Sequence, residues 1–118
     1  RRVLFRSELI AELKAATLRG RGGAGFPMGT KASFIDRKNA KPKYLVVNAE
    51  ESEPGAFKDR QVMATNPHRL IEGCLIAARA IESTDVFIFI RGEYLTEYEI
   101  LAAAVRVGPL GPSGVNEK

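Results

Sequence analysis

Apolar side chains recur at helical spacing in several parts of the chain, which predicts amphipathic helices. The pattern is clearest after Asn66 and Pro67, where a cap residue precedes a proline suited to the first helical position. Ser7 and Thr30 are predicted to cap two further helices. The predicted helices cover residues 7–17, 30–35, 58–64 and 67–82, and a last helix opens with a capping box at 96–99 and runs to Val107.

Two compact apolar runs rich in β-formers, residues 44–47 and 85–90, are predicted to be strands buried on both faces. Because helices alternate with these strands, the pattern predicts an α/β fold with a parallel sheet. Ligands of such sheets bind beyond the carboxyl ends of the strands. Here those ends are an acidic loop at residues 48–55 and a turn at residues 91–93.

Composition narrows the class of protein without identifying it. The 118 residues suit one domain, with 45% hydrophobic and 27% charged residues, and no apolar run approaches the ~20 residues that span a bilayer. The net charge of +4 is spread along the chain. Because Cys74 is the single cysteine, the chain cannot form an internal disulfide. It also cannot build a zinc or iron–sulfur site from its own thiolates alone. Cys74 is predicted to be a buried hydrophobe, and His68 a surface residue.

A glycine-rich segment, residues 19–27 (the glycine loop), places four glycines in six positions between arginines and an aromatic residue. Glycine lets a ligand approach the main chain closely. Gly20, Gly22 and Gly25 match G-x-G-x-x-G, but they follow a helix, whereas the usual dinucleotide loop follows a strand. No Gly-Lys-Ser/Thr follows for a phosphate-binding P-loop. Phe26 and Phe34 flank the loop and suit either stacking on a base or the core.

The acidic loop suits a ligand that carries hydroxyl groups. It combines one amide, one hydroxyl and three carboxylates, at Asn48, Ser52, Glu50, Glu51 and Glu53. Carboxylates and amides accept hydrogen bonds from a polyol or a ribose, and clustered acids can raise a pKa by repulsion. Two alternatives remain open from the residues: a solvated loop whose acids pair with Lys31, Lys58 or Arg60, and a Mg²⁺ site.

Together, the glycine loop, Lys31, the acidic loop and Lys58-Asp59-Arg60 resemble the flavin-bearing, NADH-oxidising subunit of respiratory complex I. The segments 66–74 and 90–94 continue the similarity. The resemblance implies an incomplete FMN-binding domain with a Rossmann-like parallel sheet, flanking helices and an atypical glycine-rich loop. It also implies FMN and NAD as cofactors, with hydride passing from NADH to FMN and electrons leaving singly through iron–sulfur clusters.

The matching motif positions imply a role for each residue. The residues implied to bind FMN are Gly20, Arg21, Gly22, Lys31, Asn48, Glu50, Glu51 and Ser52. The residues implied to bind NADH are Gly23, Phe26, Phe34, Lys31 and Glu53. The resemblance places the two phenylalanine rings near the adenine and Glu53, as the catalytic residue, near the nicotinamide. The chain departs from the family pattern at Met28, Thr30, Ala32 and Glu50, where threonine, leucine, tryptophan and aspartate are usual.

The family's later flavin motif and its four-cysteine [4Fe–4S] segment have no counterpart before Lys118. We therefore expect an N-terminal fragment, with residues 1–107 as a partial FMN/NADH-binding domain and 108–118 as a Gly/Pro-rich tail. By itself it is expected to bind FMN poorly and to be inactive. The implied partners are other subunits of the complex I peripheral arm, especially the [2Fe–2S] subunit, with neither nucleic acid nor membrane insertion. The implied location is the cytoplasmic face of the bacterial inner membrane or the mitochondrial matrix.

Other functions stay open at this point. The diaphorase subunits of NAD-reducing hydrogenases and NAD-dependent formate dehydrogenases use the same module. An RNA- or phosphate-binding module could use Arg19 and Arg21, although RGG segments that bind RNA are repetitive and this one is a single copy. A catalytically inactive fragment is a further alternative.

Overall fold

The computed structural model describes residues 5–36 and 38–108. The predicted tail, apart from Gly108, lies outside these residues. Five helices and two strands follow one another along the described chain: α1 Arg6–Ala15, α2 Met28–Ser33, β1 Tyr44–Ala49, α3 Lys58–Thr65, α4 Pro67–Ile81, β2 Asp85–Ile90 and α5 Leu95–Val107. The two strands are neighbours in a parallel sheet. The predicted α/β class is confirmed, since every predicted helix and strand is present within a few residues of its predicted ends.

Helices α3 and α4 begin at Lys58 and Pro67 as predicted, whereas α1, α2 and α5 begin one or two residues before their predicted starts. α1 begins at Arg6 with Phe5 at its N-cap position, and the Phe5 amide donates to the Glu8 carboxylate at 2.9 Å. Ser7 therefore lies inside the helix. α2 begins at Met28, before Thr30, because Pro27 takes the cap position. α5 begins at Leu95, and no side chain caps it. The capping box predicted at 96–99 is therefore wrong.

The chain divides into two compact units. The first comprises residues through Leu45 together with Ile76–Val86. Its core contains Ile10, Ala32 and Ala80, with Leu9, Leu13 and Ile81 packed against them. Arg6 of α1 connects this helix with α4 and α2, because its guanidinium donates to the carbonyls of Ala80 at 2.8 Å and Ala32 at 3.2 Å.

Gly29 allows α2 to pack closely against α1. A Cβ atom at this position would lie 2.7 Å from the Lys14 amide nitrogen and 3.0 Å from the Leu13 carbonyl carbon. Cβ atoms essentially never lie less than 3.0 Å from another heavy atom, so a side chain at this position would force the helices apart. Because α2 begins directly after the glycine loop, this contact fixes the chain that leaves the loop.

The second unit comprises Val46–Leu75 and the residues from Phe87 onward. Its core contains Ala49, Met63, Ile71, Leu101 and Ala104, from β1, α3, α4 and α5. Ile88 and Ile90 of β2 pack against this core. Cys74 is buried and His68 is exposed, as predicted.

Burial of the strands on both faces, as predicted, is wrong. In the second unit Val46, Phe87 and Phe89 are 65%, 55% and 60% exposed. They alternate with Val47 and Ile88, which are at least half-buried. The helices of this unit pack on one face of the strands, so side chains of the opposite face meet solvent. Among the described residues, no helix has both the length and the apolar character needed to cross a bilayer.

Candidate functional site

The glycine loop belongs to the first unit and is closed by backbone hydrogen bonds. The Gly20 amide donates to the Phe26 carbonyl, and the Met28 amide donates to the Leu18 carbonyl, both at 2.9 Å. Between these bonds, Gly23 and Gly25 have φ angles of +112° and +62°, which L-amino acids rarely adopt. The loop conformation therefore depends on glycine at these two positions.

Three glycines of the glycine loop have no neighbouring atoms on the side where a Cβ atom would lie. A Cβ added at Gly22, Gly23 or Gly25 would meet no heavy atom within 4 Å. Arg21 and Lys31 are exposed, and neither side chain forms a hydrogen bond or ion pair with a described residue. Backbone and cationic groups are thus available to a ligand that settles on the loop.

Phe26 and Phe34 form an exposed aromatic pair beside this loop. Their ring centroids are 6.3 Å apart with an interplanar angle of 57°. Phe26 is 47% and Phe34 69% exposed, so the alternative that they belong to the core is wrong. Exposed aromatic rings next to a glycine-rich backbone suit contact with a planar base.

The acidic loop belongs to the second unit and leaves the carboxyl end of β1. Asn48 is still in the strand, and its side-chain oxygen accepts the Glu50 amide at 3.1 Å. Asn48, Ser52 and Glu53 are exposed, and Glu50 is half-buried. The side chains of Ser52 and Glu53 have no hydrogen-bond or ion-pair partner within the described part of the chain. Acceptors for ligand hydroxyl groups are therefore present where the motif predicts them.

Glu51 differs from its neighbours because its carboxylate is buried, with the side chain only 3% exposed. It accepts the backbone amides of Asp59 at 3.1 Å and Arg60 at 3.3 Å, in the first turn of α3, and lies 3.5 Å from the Lys58 ammonium. Burial alone would raise the pKa of Glu51, but these amides and the Lys58 charge bring the pKa below its ordinary value. The expectation that repulsion among the loop acids raises a pKa is wrong for Glu51.

The carboxyl end of β2 meets the acidic loop, as expected for parallel strands. Arg91 donates to the Glu51 carbonyl at 3.0 Å, and the Tyr94 hydroxyl donates to the same oxygen at 3.2 Å. Arg91 also bonds to Glu93 at 2.8 Å and lies 3.9 Å from the Glu50 carboxylate. The sequence places these residues after a strand, but nothing in their spacing predicts that both reach one carbonyl.

The alternative in which lysine and arginine side chains neutralise the acidic loop is confirmed only for Lys58. Lys58 pairs with Glu51, whereas the Arg60 side chain pairs with Glu97 of α5 at 2.6 Å. That hydrogen bond lowers the pKa of the buried Glu97. Among the described residues, no group of three or more histidine, cysteine, aspartate or glutamate side chains could hold a metal ion.

Known proteins resemble this chain in both sequence and structure. A family model described as the Nuo51 FMN-binding domain matches residues 13–110. The mitochondrial NADH-ubiquinone oxidoreductase 51 kDa subunit of Neurospora crassa is 54% identical over 101 residues, which cover 82% of this chain and 20% of the relative. A subunit of the NADH-quinone oxidoreductase of Rhizobium meliloti is also 54% identical over 101 residues, covering 85% of this chain and 23% of the relative.

Among solved structures, an NAD⁺-reducing [NiFe]-hydrogenase in the H₂-reduced state matches with a TM-score of 0.76 and 43% identity. The match covers 84% of this chain and 17% of that chain. The chain therefore spans about a fifth of the length of the proteins it resembles.

Proposed function

The chain belongs to the family of Nuo51 FMN-binding domains, and from this premise we propose that it forms part of a subunit that oxidises NADH through FMN. The observation that carries the proposal is the presence of two motifs along the chain, in the order that the resemblance implies. One is a glycine loop open to a ligand, and the other is a loop of carboxylate, amide and hydroxyl acceptors after a parallel strand.

The side chains present fit FMN. Gly22, at which a Cβ would meet no other atom, leaves room for a flat ring against the main chain. Asn48, Glu50 and Ser52 supply acceptors for hydroxyl groups such as those of a ribityl chain. Arg21 and Lys31 supply positive charge for anionic groups. These residues, together with Gly20, are our proposed FMN ligands.

The proposed NADH ligands are Gly23, Phe26, Phe34, Lys31 and Glu53. The exposed pair Phe26 and Phe34 offers aromatic surface to the adenine. The Glu53 side chain is exposed and has no partner in the described chain, so its carboxylate can accept a hydrogen bond from the nicotinamide carboxamide. We propose that it thereby orients the ring for transfer. When bound, FMN supplies the chemistry that links two-electron oxidation of NADH to one-electron carriers.

We also propose partners and a location from the relatives. A subunit of this kind passes electrons to iron–sulfur clusters, so a [4Fe–4S] cluster elsewhere in the longer protein and a [2Fe–2S] partner subunit are proposed. The complex would lie at the cytoplasmic face of the bacterial inner membrane or in the mitochondrial matrix. The two relatives described above are a mitochondrial and a bacterial protein of this type.

The test places this chain in a complete subunit. In a graft, it replaces the matching 101 residues of the Rhizobium meliloti relative. The graft is expected to purify with FMN, seen by its visible absorbance, and to reduce ferricyanide with NADH. The unmodified Rhizobium meliloti protein is the positive control. A folded graft that takes up no FMN while the control does would refute the proposal.

A second candidate differs in its redox partner, which supplies electrons for the reduction of NAD⁺ instead of accepting electrons from NADH. The structural match to an NAD⁺-reducing [NiFe]-hydrogenase favours a diaphorase role. Co-purification of the native protein separates the two, because hydrogenase subunits would indicate a diaphorase and quinone-reductase subunits complex I.

A further inference from the structure

Resting on the proposed function, we propose that Glu51, Arg91 and Tyr94 (the Glu51 anchor) are positioning residues that hold the acidic loop in its ligand-binding shape. In this assignment Glu51 does not touch FMN, although its motif position implies that it does. The ligands of the loop are Asn48, Glu50, Ser52 and Glu53. The contacts of the Glu51 carboxylate and of the Glu51 carbonyl support this assignment.

The side-chain end of Glu51 serves α3. The first amides of a helix lack partners within the helix, and the Phe57 side chain at the N-cap position forms no capping hydrogen bond. Glu51 takes over this role from outside the helix, because its carboxylate accepts the amides of Asp59 and Arg60. With those two bonds, the nearby Lys58 ammonium and a side chain only 3% exposed, the carboxylate has little access left for a ligand hydroxyl.

The main-chain end of Glu51 is held by the turn after β2. Its carbonyl oxygen accepts both the Arg91 guanidinium at 3.0 Å and the Tyr94 hydroxyl at 3.2 Å. The Arg91 guanidinium also lies 5.7 Å from the centre of the Tyr94 ring, so the two donors are packed together. A carbonyl with two side-chain donors is fixed in both position and direction.

Residue 51 is therefore the fixed point in a loop whose other polar side chains are accessible. Ser52 and Glu53 follow it directly and are exposed, and Glu50 precedes it and is half-buried. Any change in the backbone at residue 51 displaces these neighbours. Arg91 and Tyr94 thus influence ligand binding through the loop.

The first test compares two tyrosines in the graft. Tyr94→Phe removes one hydrogen bond to the Glu51 carbonyl, and we expect about fivefold weaker FMN binding, the effect of losing one ordinary hydrogen bond. The circular dichroism of the bound flavin at saturating FMN should also change. Tyr98→Phe is the matched control, since Tyr98 is 55% exposed and its hydroxyl has no partner among the described residues. Unchanged FMN affinity in Tyr94→Phe, or weaker binding with an unchanged flavin spectrum, would overturn the positioning role.

The second test asks whether Glu51 and Tyr94 act through the same loop. Glu51→Ala and Tyr94→Phe should be non-additive, because the double variant disturbs one loop that each single variant already disturbs. Losses in FMN affinity that multiply in the double variant would instead indicate independent contacts with FMN and overturn the assignment.

Amide hydrogen exchange separates failure of the anchor from failure of the proposed function. Without any ligand, Glu51→Ala should accelerate exchange of the Asp59 and Arg60 amides, and Glu53→Ala, at an exposed neighbouring carboxylate, should not. If the graft takes up no FMN but exchange responds this way, the anchor stands and the FMN function fails. If FMN binds and exchange does not respond, the anchor fails alone.

Discussion

Replacing Gly29 by alanine tests how closely α2 approaches α1. The added Cβ would lie 2.7 Å from the Lys14 nitrogen and 2.8 Å from its Cγ, so one helix must move by several tenths of an ångström. Overpacking of this kind costs about 1–3 kcal/mol, and the better helix propensity of alanine returns up to about 1 kcal/mol. The net expectation is about 1–2 kcal/mol of local destabilisation.

Hydrogen exchange of the α1 and α2 amides in the graft measures this effect. A loss of about 1–2 kcal/mol in the free energy of opening corresponds to about 5–30-fold faster exchange. Because α2 begins directly after the glycine loop, FMN affinity is also expected to fall.

Gly22→Ala is the matched control, because a Cβ there meets no atom within 4 Å. It should leave exchange in α1 and α2 unchanged and yet weaken FMN binding, since the methyl group occupies space that we assign to the ligand. Wild-type exchange in Gly29→Ala would refute the close approach of the helices. Wild-type FMN affinity in Gly22→Ala would refute the placement of FMN against the glycine loop.

Three further predictions concern separate parts of the chain. Phe34→Ala should raise the KM of the graft for NADH about 2–10-fold, the range expected for one aromatic contact, without changing its FMN content, whereas Phe57→Ala, at an equally exposed ring, should change neither. The hydrogen bond from Arg60 lowers the pKa of Glu97 in the folded protein. The ionised carboxylate therefore stabilises the fold above its unfolded pKa of about 4.3, and this stabilisation is lost as the pH falls through the lower pKa of the folded state. Glu97→Gln should therefore reduce the acid dependence of the unfolding midpoint, and Glu99→Gln, at an exposed site, should not; equal curves for Glu97→Gln and wild type would contradict the argument. Cys74 is buried and burial raises the pKa of its thiol, so iodoacetamide should modify it only after denaturation, and rapid modification of the native chain would contradict its burial.

The sequence predicted the order of the elements because periodicity and turn chemistry are local properties. Helix α4 begins at Pro67 as expected, and the apolar run after it forms the predicted helix. The groups that cap a helix were less predictable than the helix itself, since a cap can come from outside the segment, and α3 begins at Lys58 as predicted. Glu51 caps α3 from eight residues before Asp59, and no cap motif describes that arrangement.

The candidate site shows the same division. Its loops were recognisable from residue types, because glycines and clustered polar acceptors are unusual and lie at fixed positions relative to the helices and strands. The separate roles of the three glutamates in the acidic loop were not recognisable. Glu50, Glu51 and Glu53 have the same side chain, and only their surroundings make one of them a buried cap.

By itself, then, the sequence determined the α/β pattern, the two loops and the family resemblance, all of which depend on residues near one another along the chain. The tertiary structure decided which face of the strands is covered, which aromatic rings are exposed and which carboxylate is buried. These properties depend on contacts between distant residues, such as Arg91 and Tyr94 with the Glu51 carbonyl. Differences in burial and hydrogen bonding within the acidic loop therefore give chemically identical glutamate side chains different roles.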